Sequence, residues 1–141
     1  MSDEVQGVVQ GDGYAVANVE ALGEGPGFRK VRRELGVTAF GVNAIELPSG
    51  YATGRHYHDE QEELYFVHRG RVKITLDGDA EHVLGPGGLA RVDAATVRQI
   101  ENVGDEPALY LVAGGKDGYV GRDGQLPEGE TTRFGPASRP G

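Results

Sequence analysis

Residues 50–70 read GYATGRHYHDEQEELYFVHRG. His56 and His58 stand one residue apart, and Glu63 follows five residues later. Side chains of a strand alternate faces, so the two imidazoles point the same way. The DEQE stretch at 59–62 is too polar for a buried strand and reads as a short turn, after which Glu63 returns to the same wall. Two imidazoles and a carboxylate on one wall of a β-structure form a ligand set for a first-row divalent metal.

The run after the turn alternates as well. Tyr65 and Val67 share the face of Glu63, while Leu64, Phe66 and His68 take the other. Large apolar groups on both faces imply that both are covered, and the N-terminal strand or the tail could supply the outer cover. Tyr65 is expected in the pocket wall, packed as core or holding substrate or water. His68 is not counted as a ligand, and His82 reads as exposed. Asp59, Glu60 and Glu62 read as a solvated turn that makes the pocket rim negative, a charge that favours cations over anions. Gln61 lies near the mouth.

Outward from this segment, turn signals recur at short spacing: Gly11-Asp12-Gly13, Pro48-Ser49-Gly50, Asp77-Gly78, Gly85-Pro86-Gly87-Gly88 and Gly104-Asp105. The runs between them predict strands near 14–18, 28–33, 37–47, 54–58, 63–68, 71–76, 80–84, 89–93, 97–102 and 107–114. Many short strands with regular turns mean a sandwich or barrel. Asp77-Gly78 suits a type I′ hairpin, which needs positive φ at both central residues. Residues 15–22 fit a short helix or a strand running into a turn.

A chain of 141 residues suits one domain. The barrel is expected over 1–114, with its motif core at 37–114. The Gly- and Pro-rich tail, 115–141, has too little apolar material for its own core and is expected to strap across the barrel or fray. There is no cysteine, so disulfides and thiolate metal sites are excluded. The opening MSDEVQGVVQ lacks the basic start and apolar run of a secretory signal, and no run is long enough to span a bilayer, so a cytoplasmic protein is expected. A net charge of −8 argues against a nucleic-acid partner. The one basic cluster, Arg29, Lys30, Arg32 and Arg33, is read as the wet face of a strand.

The spacing at 50–70 resembles the first motif of the cupin superfamily, G-x5-H-x-H-x4-E-x6-G, at Gly50, His56, His58, Glu63 and Gly70. The second motif, G-x5-P-x-G-x2-H-x3-N, aligns with Gly87, Asp93, Ala95, Arg98 and Asn102, so its Gly and Asn are kept and its Pro, Gly and His are replaced. The resemblance is to small bacterial cupins with Gln-Glu-Glu in the first motif (Gln61, Glu62, Glu63) and Arg in place of the second-motif His. It implies a single-domain all-β jelly-roll barrel that forms a homodimer. It places His56, His58 and Glu63 at metal-ligand positions and Arg98 at the fourth, where a guanidinium has no lone pair to give.

Three arrangements stay open. Arg98 swings aside and leaves a two-His, one-carboxylate site; it pairs with Glu63 in a metal-free pocket; or it binds an anionic ligand beside the metal. The resemblance thus implies a protein that binds Fe, Mn, Ni or Zn and holds or transforms a small, anionic organic molecule, with Arg98 and Tyr65 as substrate contacts. If it is an enzyme, dioxygenase, isomerase or lyase chemistry fits. The alternative is a metal-free binding or sensor module in which Arg98 grips Glu63 or a bound carboxylate.

Overall fold

The computed structural model describes residues 4–130 and 134–137, so 131–133 and 138–141 of the expected tail lie outside the described residues. A hairpin of β1 (Val8–Gly11) and β2 (Tyr14–Ala17) leads into a single 3-10 turn at Val19–Leu22. Two antiparallel five-stranded sheets follow. One has the order β10 (Leu89–Val92), β7 (Glu62–Arg69), β12 (Ala108–Gly115), β4 (Gly41–Leu47) and β3 (Gly27–Arg29). The other has the order β14 (Phe134–Pro136), β5 (Tyr51–Thr53), β11 (Arg98–Asn102), β8 (Val72–Leu76) and β9 (Ala80–Leu84). A short pair, β6 (Tyr57–His58) with β13 (Gly124–Gln125), lies beside them.

Alternation drives the packing. Along β7, Glu63, Tyr65 and Val67 are buried while Leu64, Phe66 and His68 stay outside. From the facing strands Ile45, Leu47 and Tyr110 meet Val72, Ile74 and Ile100, so the core lies between the two sheets. Each such aliphatic side chain contributes about 1.5–3 kcal/mol when fully buried. This is the antiparallel jelly-roll barrel expected from the sequence.

The turns obey local chemistry. Asp77 and Gly78 both have positive φ, 53° and 98°, between Leu76 and Ala80 of the β8–β9 hairpin. Gly70, at φ 88°, links β7 to β8, and a Cβ there would lie 2.7 Å from Ala108 Cα. Asn102 of the second motif is a buried staple: its Nδ2 donates to Leu47 O (2.9 Å) and Glu106 O (2.7 Å), and its Oδ1 accepts from Gly104 N–H.

Several expected strands differ. The strand expected at 28–33 stops at Arg29, and Val31–Leu35 form a short helix, α1, closed by Gly36 in the left-handed region. In β3 the expected faces are reversed. Phe28 is exposed, and Arg29 is buried because its guanidinium donates to Gly25 O (2.7 Å) and Glu46 Oε2 (3.1 Å). A paired guanidinium is satisfied inside, so charge alone did not set its face. The strand expected at 37–47 starts at Gly41; that expected at 54–58 is reduced to a single bridge at His56 and the two-residue β6, and β5 forms just before it at Tyr51–Thr53. Residues 15–22 are both things at once, a strand to Ala17 and a helical turn from Val19.

The chain's C-terminal part is held by strand pairing, by the Asp123 side chain and by Phe134, which packs against the core beside Tyr51. β13 pairs with β6, and β14 pairs with β5. No helix among the described residues is long and apolar enough to cross a membrane.

Replacing Asn102 with Ala removes the partner of the buried Leu47 carbonyl, of the part-buried Glu106 carbonyl and of the Gly104 N–H. It is expected to lower stability by about 2–3 kcal/mol, read as a shift of the urea unfolding midpoint at unchanged slope.

Candidate metal centre

Three strand segments bring the first-motif residues together. His56 exchanges both backbone hydrogen bonds with Arg98, N–H to O at 2.9 and 2.8 Å. His58 donates its N–H to Ala94 O (2.8 Å) and lies opposite Gly124. Glu63 arrives on β7 opposite Gly114 of β12. A Cβ at Gly114 would collide with Gln61 Oε1 and approach Glu63 Cγ to 3.1 Å, so a larger residue there would displace the Gln61 amide and crowd Glu63. One ligand atom from each of His56, His58 and Glu63 lies within 4.8 Å of the others. The two rings are 5.5 Å apart and nearly perpendicular.

Hydrogen bonds set the tautomers. His56 Nδ1 lies 3.0 Å from Gly54 O, and a carbonyl only accepts, so Nδ1 carries the proton and Nε2 keeps its lone pair. His58 Nδ1 lies 2.7 Å from Asp123 Oδ1 and is fixed the same way. His58 Nε2 is buried and makes no hydrogen bond, yet it faces Glu63 Oε1 at 3.1 Å. Two lone pairs facing at that distance repel unless a proton or a cation sits between them. The buried orphan nitrogen and the outer partners on both Nδ1 atoms fit a metal site.

The electrostatics follow. Burial, aided by Arg98, lowers the His56 pKa and keeps that ring neutral. Burial opposes protonation of His58 too, but the Glu63 and Asp123 carboxylates outweigh it and raise its pKa. Glu63 is lowered against its own burial by His58, by the Tyr65 hydroxyl, which donates to Oε1 at 2.7 Å, and by Arg98. Asp123 is held well below the usual carboxylate range, despite burial, by the Gln61 amide, the Glu60 and Gln61 N–H groups and His58.

Arg98 is fully buried, with 0% of its surface exposed. Its Nη1 donates to Ala94 O (3.3 Å) and its Nη2 to Asp93 O (3.1 Å), with Glu63 Oε1 4.0 Å from Nη2. The sequence reading foresaw Glu63 or an anion as partners; the two backbone carbonyls come from the loop before β11.

A cavity of about 790 Å³ opens in front of the cluster. His56, His58, Glu63 and Tyr65 line it, while Arg98 sits behind that wall. Asp59, Glu60 and Glu62 do not line it, contrary to the expected negative rim. Asp59 instead accepts from Gln125, and Glu62 pairs with Arg91 on the outer face. Lys30, Arg32, Arg33 and Arg122 line the cavity in their place. His68 and His82 lie outside the cluster, as expected.

Two contributors were not legible in the sequence. Asp123 lies in a Gly-rich stretch without a motif, and only the β6–β13 pairing brings it to His58. Tyr110 lines the cavity from β12, its buried hydroxyl without a hydrogen bond. Gln61, which had no assigned part, donates to Asp123 Oδ1 at 2.6 Å.

The Cupin domain family matches residues 44–114, just over half of the chain. The chain belongs to the cupin family. No curated protein matches it in sequence. Among solved structures it is similar to a cupin protein from Bacteroides fragilis, at 26% identity over 74% of this chain and 85% of that one (TM-score 0.61). It is also similar to the DMSP lyase DddQ from Ruegeria pomeroyi, at 25% identity over 64% of this chain and 45% of that one (TM-score 0.56). A predicted oxalate decarboxylase from Thermotoga maritima shares the fold at 23% identity, over 52% of this chain and 64% of that one (TM-score 0.50). This cupin spans about half the length of several solved proteins that it matches.

In the metal-free protein, His58 is expected to titrate above its ordinary value of 6.5 and His56 below it. The raised His58 favours the fold below 6.5, and that contribution is lost as pH rises through its folded value; the lowered His56 costs stability as pH falls through 6.5. NMR titration of the imidazole protons reads both. Asp123→Asn is expected to bring the His58 midpoint down; an unmoved midpoint contradicts the assigned contact.

Proposed function

We propose that this cupin binds a divalent transition metal through Nε2 of His56, Nε2 of His58 and the Glu63 carboxylate, and holds or transforms a small organic molecule in the cavity before it. The observation that carries the reading is the convergence of one ligand atom each from His56, His58 and Glu63 within 4.8 Å, with the buried Nε2 of His58 facing Glu63 Oε1 at 3.1 Å. A bound metal would supply Lewis acidity and open positions for a chelating molecule, and Fe, Mn, Ni and Zn all suit two imidazoles and a carboxylate.

The protein's own groups define what surrounds that chemistry. Gly54 O and Asp123 hold the imidazoles with their lone pairs inward. Tyr65 occupies one lone pair of Glu63 Oε1 and so orients the carboxylate. Arg98 places a cation behind Glu63, offsetting the cost of burying its charge. It thereby acts on the site from behind the wall. Lyase, isomerase and dioxygenase chemistry are all compatible with this set, and the likeness to a DMSP lyase supports the first.

A second reading has a specific observation behind it. Arg98 Nη2 lies 4.0 Å from Glu63 Oε1, the contact a metal-free binding module would use. Elemental analysis of untagged protein separates the two. Near-stoichiometric Fe, Mn, Ni or Zn is expected, and His56→Ala is expected to remove it. Because His58 binds a proton more readily than an ordinary imidazole, metal affinity should fall as pH drops, by about tenfold per unit for each proton displaced. Metal-free protein that takes up no added metal at neutral pH contradicts the reading.

The same proposal includes a homodimer through the outer face of the first sheet. Leu64 and Phe66 are 46% and 39% exposed there, beside Leu89 on β10. Sedimentation is expected to show a dimer at micromolar concentration, and Phe66→Asp is expected to shift it toward monomer. A wild-type monomer removes the proposal.

A further inference from the structure

We propose that the cavity selects a molecule with a terminal oxyanion, a phosphate or carboxylate, seated at the mouth on Arg32 and Arg122 with Lys30 and Arg33 around it. The molecule's other end then faces His56, His58 and Glu63. Only that second end rests on the metal reading above.

The charge distribution carries the argument. The chain has a net charge of −8, yet four basic residues, Lys30, Arg32, Arg33 and Arg122, line this one cavity. The carboxylates that line it, Glu63 and Asp123, are already committed to His58, Tyr65 and Gln61. Of the four basic residues only Arg33 has a carboxylate partner among the described residues, its exposed neighbour Glu34 at 3.0 Å. Elsewhere the protein does pair such groups: Arg29 with Glu46, Arg69 with Glu20 and Arg91 with Glu62. A concave wall with one sign of uncommitted charge raises the local concentration of anions.

Local structure holds the charges in place. The turn into α1, where a continuous strand was expected, puts Lys30, Arg32 and Arg33 at the cavity instead of along a sheet face. The Arg32 guanidinium stacks over the Tyr119 ring at 4.1 Å, which restrains it while leaving its N–H donors free. Arg122 is the residue next to Asp123, so the anchoring of Asp123 on His58 and Gln61 also fixes where Arg122 emerges. A planar guanidinium can grip two oxygens of a phosphate or carboxylate at once. The cavity, at about 790 Å³, is too large for a bare two-carbon acid and admits a molecule with a body between its two ends.

The test uses inorganic phosphate and glutarate as oxyanion probes, with glutaramide as the uncharged counterpart, in calorimetric titrations of the full chain with and without added Zn(II). Wild-type protein is expected to bind both anions and not glutaramide. The double variant Arg32→Gln/Arg122→Gln is expected to weaken anion binding by at least about tenfold, one or more charge-assisted contacts being lost, with unchanged Zn(II) affinity and thermal midpoint. Arg91→Gln, on the outer face, serves as the charge control and is expected to bind like wild type. Anion binding that survives in His56→Ala supports the mouth site even if no metal is ever taken up, so the two readings fail separately. Anion binding that requires Zn(II) and vanishes in His56→Ala overturns the inference, because the anion then sits on the metal. So does a double variant that binds as wild type does, or a wild type that binds neither anion.

Discussion

The contact between Asp123 and His58, at 2.7 Å, joins the C-terminal segment to the first-motif strand, and the site depends on it. Asp123 accepts four times, from His58, the Gln61 side chain and the N–H groups of Glu60 and Gln61. Those bonds close the polar turn at 59–62, set the His58 tautomer and pin β13 against β6. A carboxylate so fully engaged stays ionised, and removing it would leave two backbone donors and an imidazole to find other partners. Orientation of His58, the turn geometry and the seating of the tail therefore stand or fall together.

Around that contact the charges alternate in space. Asp123 faces His58, His58 faces Glu63, and Glu63 faces Arg98 at 4.0 Å. Burying any one of these alone would cost several kcal/mol. The chain of partners offsets that cost, and Arg98 adds two backbone carbonyls of its own. An arginine at the second-motif position thus takes a structural place behind the wall, where it draws Glu63 toward ionisation without entering the cavity. Among the described residues this arrangement leaves two buried nitrogens without a hydrogen bond, Arg98 Nε and His58 Nε2, and the second faces Glu63, where a cation would relieve it.

The cavity lining brings together lone pairs from two imidazoles and a carboxylate and the cationic ends of Lys30, Arg32, Arg33 and Arg122. The reversal of the expected rim has a local cause. The acidic turn residues are drawn off to Gln125 and Arg91, while the turn into α1 redirects the basic ones. The chain's net charge is −8, but four basic residues and only two carboxylates line this cavity.

Residues 50–70 determined the three candidate ligands and carry the cupin spacing, while the recurring turn signals and short runs along the rest of the chain determined the all-β class. Alternation at His56 and His58, the polar turn and the alternation through Val67 are short-range rules that backbone geometry enforces wherever a strand forms. The same rules located the Asp77-Gly78 hairpin and most of the barrel strands. Tertiary structure decided what depends on partners distant in sequence. Arg29 went inward because Glu46 lies beside it on β4, and no pattern within 28–33 announces that. Arg98 found the carbonyls of Asp93 and Ala94 once β11 was placed. Asp123, 65 residues from His58, carries no local signal of its purpose. A side chain's face follows from its immediate neighbours, but its hydrogen-bond partner follows from the whole path of the chain. That is why the inner wall of this site was legible in the sequence and its outer support and mouth were not.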